Sequence, residues 1–162
     1  MTITDIATEA AKLVENGDAT LLGQCARRAV DEVAAEYFPL VRTETRIPKN
    51  GAIDFGDFTF LPRRIYAVTC RGKAVAYTYT ADGLTVSETR PVRVTYAYLP
   101  PVGDEAIVSP SVPLRTLAYG TAAEYCLLSG LYDDAALWDK RFRDSLVRLN
   151  RRGRRLPQRR WL

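Results

Sequence analysis

The sequence predicts an α+β protein: an antiparallel helical bundle, two N-terminal and two C-terminal helices, with an inserted antiparallel β-sheet or small barrel and a basic C-terminal tail. Three observations predict it. Apolar residues recur every three or four positions before residue 40 and again after residue 113. Between residues 41 and 99 the period falls to two, among β-branched and aromatic residues and Gly-bearing turns. The stretch Leu99-Pro100-Pro101-Val102-Gly103-Asp104-Glu105 reads as a linker stiffened by two prolines.

In chain order, Thr4 and Asp5 open a helix whose stripe is Ile6, Ala10, Leu13 and Val14, closed by Asn16-Gly17. Asp18 caps a second helix with Leu22, Cys25, Ala29, Val33 and Tyr37 on one face, and Pro39 ends it. Short strands follow at 43–47, 52–54, 57–60, 65–71, 73–80, 84–88 and 92–99. Pro48-Lys49-Asn50-Gly51, Arg71-Gly72 and Asp82-Gly83 mark the reversals. In the last strand Val92, Val94, Tyr96 and Tyr98 share a face. Ser111 and Pro113 open a third helix, striped by Leu114, Leu117, Ala118, Thr121, Tyr125 and Leu128 and stopped at Ser129-Gly130. Asp133-Asp134 start a fourth at the positive end of its dipole. Ala135, Trp138, Phe142, Leu146 and Leu149 line it, and Gly153 ends it. The expected organisation is a helical hairpin over 1–40, the β insertion over 41–103, a second hairpin completing the bundle over 104–149, and an Arg-rich tail over 150–162.

Composition narrows the function. At 162 residues and 47% hydrophobic content the chain is long enough to bury a core. No apolar stretch reaches the roughly 18–20 residues that span a bilayer, and the N-terminus lacks the pattern of a secretory signal. Cys25, Cys70 and Cys126, scattered and without a CxxC pair, read as buried free thiols in a reducing compartment. The absence of histidine removes the commonest general base and metal ligand. Asp54 and Asp57 around Gly56 are explained by a turn and are too few for a calcium loop. No GxGxxG, Walker or GxSxG pattern occurs, so neither an enzyme nor a cofactor is expected. Residues 123–142 resemble one tetratricopeptide unit, but no second copy occurs near a period of 34, which leaves a tightly packed hairpin with Ala123, Ala135 and Ala136 at its close approaches.

Two features point to partners. Residues 148–162 (RLNRRGRRLPQRRWL) carry seven arginines and no acid; removing them from the chain's +4 leaves −3 on the rest. Such a run suits phosphate neutralisation. It also suits docking on a protein, since Leu156-Pro157 and Trp161-Leu162 supply apolar anchors and arginines grip carboxylates in pairs. The Trp-Leu pair favours docking, because a tail made only for phosphates needs no aromatic anchor. The second feature is Tyr66, Tyr77, Tyr79, Tyr96 and Tyr98 interleaved with Arg63, Arg64, Arg71 and Arg93. That combination is a base-stacking platform or a set of cross-strand and protein-contact residues.

The helix pair, β insertion, VPLRTLAYGTAAEYCLLSGLYDDAALWDKRFRDSLVRL hairpin and RRLPQRRWL tail together resemble the head-to-tail adaptor (connector) proteins of tailed bacteriophages. The resemblance implies a structural virion protein at the capsid–tail junction, made in the host cytoplasm. It implies a homo-oligomeric ring, typically a dodecamer, under the portal protein. Tail proteins would bind the ring's other side, the larger β part being the expected contact, and genomic DNA would pass through the channel without specific binding. The portal-docking residues it implies are Arg148, Arg151, Arg152, Arg154, Arg155, Arg159, Arg160, Trp161 and Leu162. The alternative is a nucleic-acid-binding module with the arginines on phosphates and the tyrosines stacking bases.

Overall fold

The structure, a computed structural model, describes residues 1–15, 17–103, 105 and 112–153. The chain is α+β and divides into two compact units, Met1–Phe38 with Val102–Leu162, and Pro39–Pro101.

The first unit holds four helices. Helix α1 spans Ile3–Ala11 and is capped by Thr2, two residues before the expected Thr4. The Thr2 hydroxyl accepts the Asp5 N–H at 3.0 Å and the Asp5 carboxylate accepts the Thr2 N–H at 2.8 Å. That reciprocal box needs an acid three residues after the cap, which Thr2 has and Thr4 lacks. Asp18 caps α2 (Ala19–Glu32) through the Leu21 N–H at 2.7 Å, as expected. The second helix does not run to Pro39 in α form. From Val33 to Tyr37 it widens into a π-helical turn, with the Phe38 N–H on the Val33 carbonyl at 2.8 Å. A residue before proline is disfavoured in α geometry, so the wider turn releases Phe38 while Val33 and Ala34 stay buried.

Helix α3 spans Leu114–Leu128 from Pro113; Ser111 lies outside the described residues. It ends in a Schellman motif: Gly130 has φ 77°, and the Leu131 N–H returns to the Cys126 carbonyl at 2.8 Å. Helix α4 spans Tyr132–Gly153. Ile6 of α1, Ala26 and Val30 of α2, Leu117 of α3, and Phe142 and Leu146 of α4 meet in one core cluster. A second joins Ala10, Leu22, Cys25, Ala118, Tyr125, Cys126 and Ala135. At Gly120 helices α3 and α4 approach so closely that a Cβ would stand 2.9 Å from the Phe142 ring. All three cysteines are free and buried.

The second unit holds seven short strands in two antiparallel sheets and not a closed barrel. The first sheet runs β1 (Leu40–Arg46), β7 (Val92–Tyr98), β3 (Arg64–Cys70), β4 (Lys73–Ala74); the second runs β2 (Ala52–Asp54), β6 (Gly83–Val86), β5 (Tyr77–Tyr79). β1 and β4 are the edge strands of the first sheet, each paired on one side only, and the two- to four-residue strands β2, β4, β5 and β6 carry too little ladder to close a cylinder. The expected 73–80 strand breaks into β4 and β5. The expected 57–60 strand is absent: Asp54 caps a 3-10 turn over Phe55–Asp57 by accepting the Gly56 N–H at 2.6 Å. The Asn50-Gly51 and Arg71-Gly72 turns form with both residues of each at positive φ, the type I′ geometry that matches strand twist.

Both sheets feed one core, with Ile53, Leu84 and Val86 meeting Val68, Val92, Val94 and Tyr96. At its edge Glu44 of β1 points inward and is 9% exposed. Its carboxylate accepts the Tyr96 hydroxyl at 2.7 Å, pairs with Arg42 at 2.8 Å and with Arg46, and receives the Thr59 N–H at 3.3 Å. Arg46 lies 5.2 Å over the Phe58 ring and Arg42 lies 5.3 Å over Phe60. Burial pushes the Glu44 carboxyl up, but the bonds from Tyr96 and Thr59 and the Arg46 charge outweigh it and hold the group below its ordinary value. Tyr96 is pushed up to about 12 by burial and by its bond to Glu44.

Candidate functional site

The candidate site is the cationic face of α4. Asp133 and Asp134 occupy its first turn, and the later turns carry Lys140, Arg141, Arg143, Arg148 and Arg151, all exposed. The distribution follows the helix dipole, acids at the positive end and cations at the negative.

Arg143 is committed to the fold. Its guanidinium donates to both Asp139 oxygens, at 3.0 and 2.9 Å, and reaches the Tyr37 hydroxyl at 3.5 Å. Those bonds push its pKa up. Arg141 instead lies 4.9 Å over the Trp138 ring. Trp138 stacks on Tyr119 of α3 at 5.7 Å and 15°, and Arg115 lies 5.8 Å over Tyr119. The order Arg115, Tyr119, Trp138, Arg141 is therefore a ladder of two stacked rings with a cation at each end, built across two helices. It leads into a groove of about 250 Å³ lined by Tyr119, Arg141, Asp144, Ser145 and Arg148.

Of the expected docking residues, Arg148 and Arg151 are exposed on α4 three positions apart, hence on one face. Neither has an ion-pair partner among the described residues. Arg152 belongs to the helical backbone. Arg154, Arg155, Arg159, Arg160, Trp161 and Leu162 lie outside the described residues. The ladder was not anticipated, although its spacing was visible: Arg115 and Tyr119 stand four apart, Trp138 and Arg141 three apart.

The tyrosine set separates. Tyr96 is fully buried and Tyr98 stacks on Phe60 at 4.4 Å, so the β7 tyrosines are core. Tyr79 is 56% exposed, yet its hydroxyl accepts the Ile65 N–H at 3.1 Å. Tyr66 sits at a bulge in β3, exposed, with Arg64 5.5 Å over its ring.

Comparison with known proteins decides nothing further. No family model and no curated protein matches the chain. Among the described residues, no group of three or more His, Cys, Asp or Glu is arranged to hold a metal ion. Among them too, no helix is long and apolar enough to cross a membrane.

Proposed function

We propose that this protein is a structural subunit of a tailed-bacteriophage virion: a head-to-tail adaptor whose helices pack side by side as a bundle in a ring beneath the portal. It docks on the portal with the basic end of α4 and the residues that follow. The β unit meets the tail proteins, and genomic DNA passes through the ring without specific binding. The observation that carries this reading is the exposed cationic C-terminal end of α4. Arg148 and Arg151 stand exposed and, among the described residues, free of ion pairs, immediately before the arginine run of residues 154–162. Arginines presented this way bind carboxylates on a partner surface in bidentate fashion. Outside residues 148–162 the chain sums to −3, which suits a channel that lets phosphates slide past.

Two variants test it. Deleting residues 154–162, or reversing charge with Arg148→Glu and Arg151→Glu, leaves the folded protein intact by circular dichroism and abolishes co-sedimentation with portal rings. Retained co-sedimentation in both variants overturns the docking assignment. The exposed pair of Arg64 and Tyr66 favours a second reading, a nucleic-acid-binding module. Under that reading the isolated protein binds single-stranded DNA tightly at low salt, and binding collapses at moderate salt and on Tyr66→Ala.

A further inference from the structure

On the opposite side of the α3/α4 contact from the cation–ring ladder runs a second groove, of about 400 Å³, bounded by α2, α3 and α4. Its carboxylates are Glu32, Glu124 and Asp139; its apolar wall includes Leu127, Tyr132 and Ala136. Leu127 is 52% and Tyr132 69% exposed, so the wall opens to solvent. Two of the acids have partners: Asp139 holds Arg143, and Glu124 stands 3.6 Å from Arg28. Glu32 is half-buried and has no hydrogen bond or ion pair among the described residues. Burial pushes its carboxyl up, Glu36, Asp139 and Glu124 push it the same way, and only Arg143 opposes them. A half-buried carboxylate in that position is stabilised by an incoming guanidinium, and the apolar wall beside it takes an aromatic or aliphatic side chain.

One segment of this sequence has that chemistry. Residues 154–162 alternate paired arginines with Leu156-Pro157 and Trp161-Leu162. We propose that the groove of one copy binds the 154–162 segment of a second copy, arginines on Glu32, Glu124 and Asp139, Trp161 against Leu127 and Tyr132. Reach argues against Trp161 meeting Tyr132 of its own chain. Gly153 lies about 32 Å along the helix axis from Tyr132. The stretch from Gly153 to Trp161 spans at most about 29 Å when taut, before any length is spent on reversing direction. Phosphate is disfavoured as an occupant by the three acids. A tail of one copy in a groove of the next is a heterologous contact, the type that closes into rings when the rotation permits. The groove and the portal compete for this segment, which one copy lends to only one of them at a time, and the test uses this chain alone.

The test mixes two full-length proteins, one carrying Ala136→Cys in the groove and the other Gln158→Cys in the tail, under mild oxidation. Each has a single new thiol, and the three native cysteines are buried, so a mixed disulfide dimer arises only between copies. A mixed dimer is expected, at a yield well above that of a control pair with the exposed Thr85→Cys. Combining Ala136→Cys with Glu32→Gln lowers the yield about tenfold, the loss of one charge-assisted contact. Should that combination unfold, Tyr132→Ser at the exposed rim gives the same reduction. A yield equal to the Thr85→Cys control, dimers of the Ala136→Cys chain alone, or a yield indifferent to every groove substitution overturns the proposal.

Discussion

Removing Glu44 tests how the β unit is held together. Replacement by Ala takes away the acceptor for Tyr96 and Thr59 and the counter-charge for Arg42 and Arg46 in one step. Breaking a buried ion pair costs about 3–5 kcal/mol, because the surviving charge is left uncompensated. Here the Arg42 side chain is 45% and that of Arg46 25% exposed, so both rehydrate in part. The lower end, about 3 kcal/mol, is therefore expected for Glu44→Ala. In a unit of this size that lowers Tm by about 12–24 °C. Glu44→Gln keeps an oxygen for Tyr96 and costs about 1–2 kcal/mol, and Tyr96→Phe costs about 1 kcal/mol. The pH dependence has a definite sign. The folded Glu44 carboxyl titrates below its ordinary value of 4.5. Its contribution is therefore complete above that value and disappears as pH falls through the folded one. Urea unfolding followed by tyrosine fluorescence, at pH 7 and in steps below pH 4.5, measures both effects. The reasoning fails if Glu44→Ala lies within about 0.5 kcal/mol of wild type, or if the gap between wild type and Glu44→Gln does not narrow in acid.

The helical unit yields two further expectations. Gly120→Ala drives a Cβ to within 2.9–3.1 Å of three Phe142 ring atoms. Overpacking of about 1–3 kcal/mol then exceeds the gain of up to about 1 kcal/mol in helix propensity, for a net loss seen in thermal melts. Gly23→Ala on α2 meets nothing within 4 Å and should raise Tm instead, which makes it the control. Glu32→Gln should stabilise the fold at neutral pH. A carboxyl whose folded value is raised loses stability as pH rises through that value, so the advantage over wild type vanishes below about pH 4. The same variant weakens trapping of the tail, so stability and docking move in opposite directions.

What the sequence made legible was local. Asn50-Gly51 and Arg71-Gly72 announce their turns because few dipeptides tolerate two positive φ angles. The stripes of α2, α3 and α4 are legible because Leu22, Cys25, Leu117, Phe142 and Leu146 recur at the helical period. What stayed hidden depends on partners distant in sequence. Nothing near Glu44 signals that an edge-strand acid turns inward; its reason is the Tyr96 hydroxyl, which reaches it diagonally from the neighbouring strand β7. Residues 57–60 alternate like a strand, but the Asp54 cap bends the backbone before a ladder forms. Gly120 reads as a weak helix position until Phe142 is set against it. The candidate site divides the same way. Its arginines are conspicuous in the sequence, whereas the Tyr119–Trp138 stack on which Arg115 and Arg141 rest exists only once α3 and α4 pack. The groove acids Glu32, Glu124 and Asp139 come from three helices, so no window of sequence contains them.

Electron micrographs of the full-length protein mixed with portal rings address the adaptor assignment most directly. The account requires a closed ring of this chain stacked coaxially on the portal ring, and loss of that stack when residues 154–162 are deleted. Single copies bound to DNA at low salt, released at moderate salt and indifferent to portal, would contradict it.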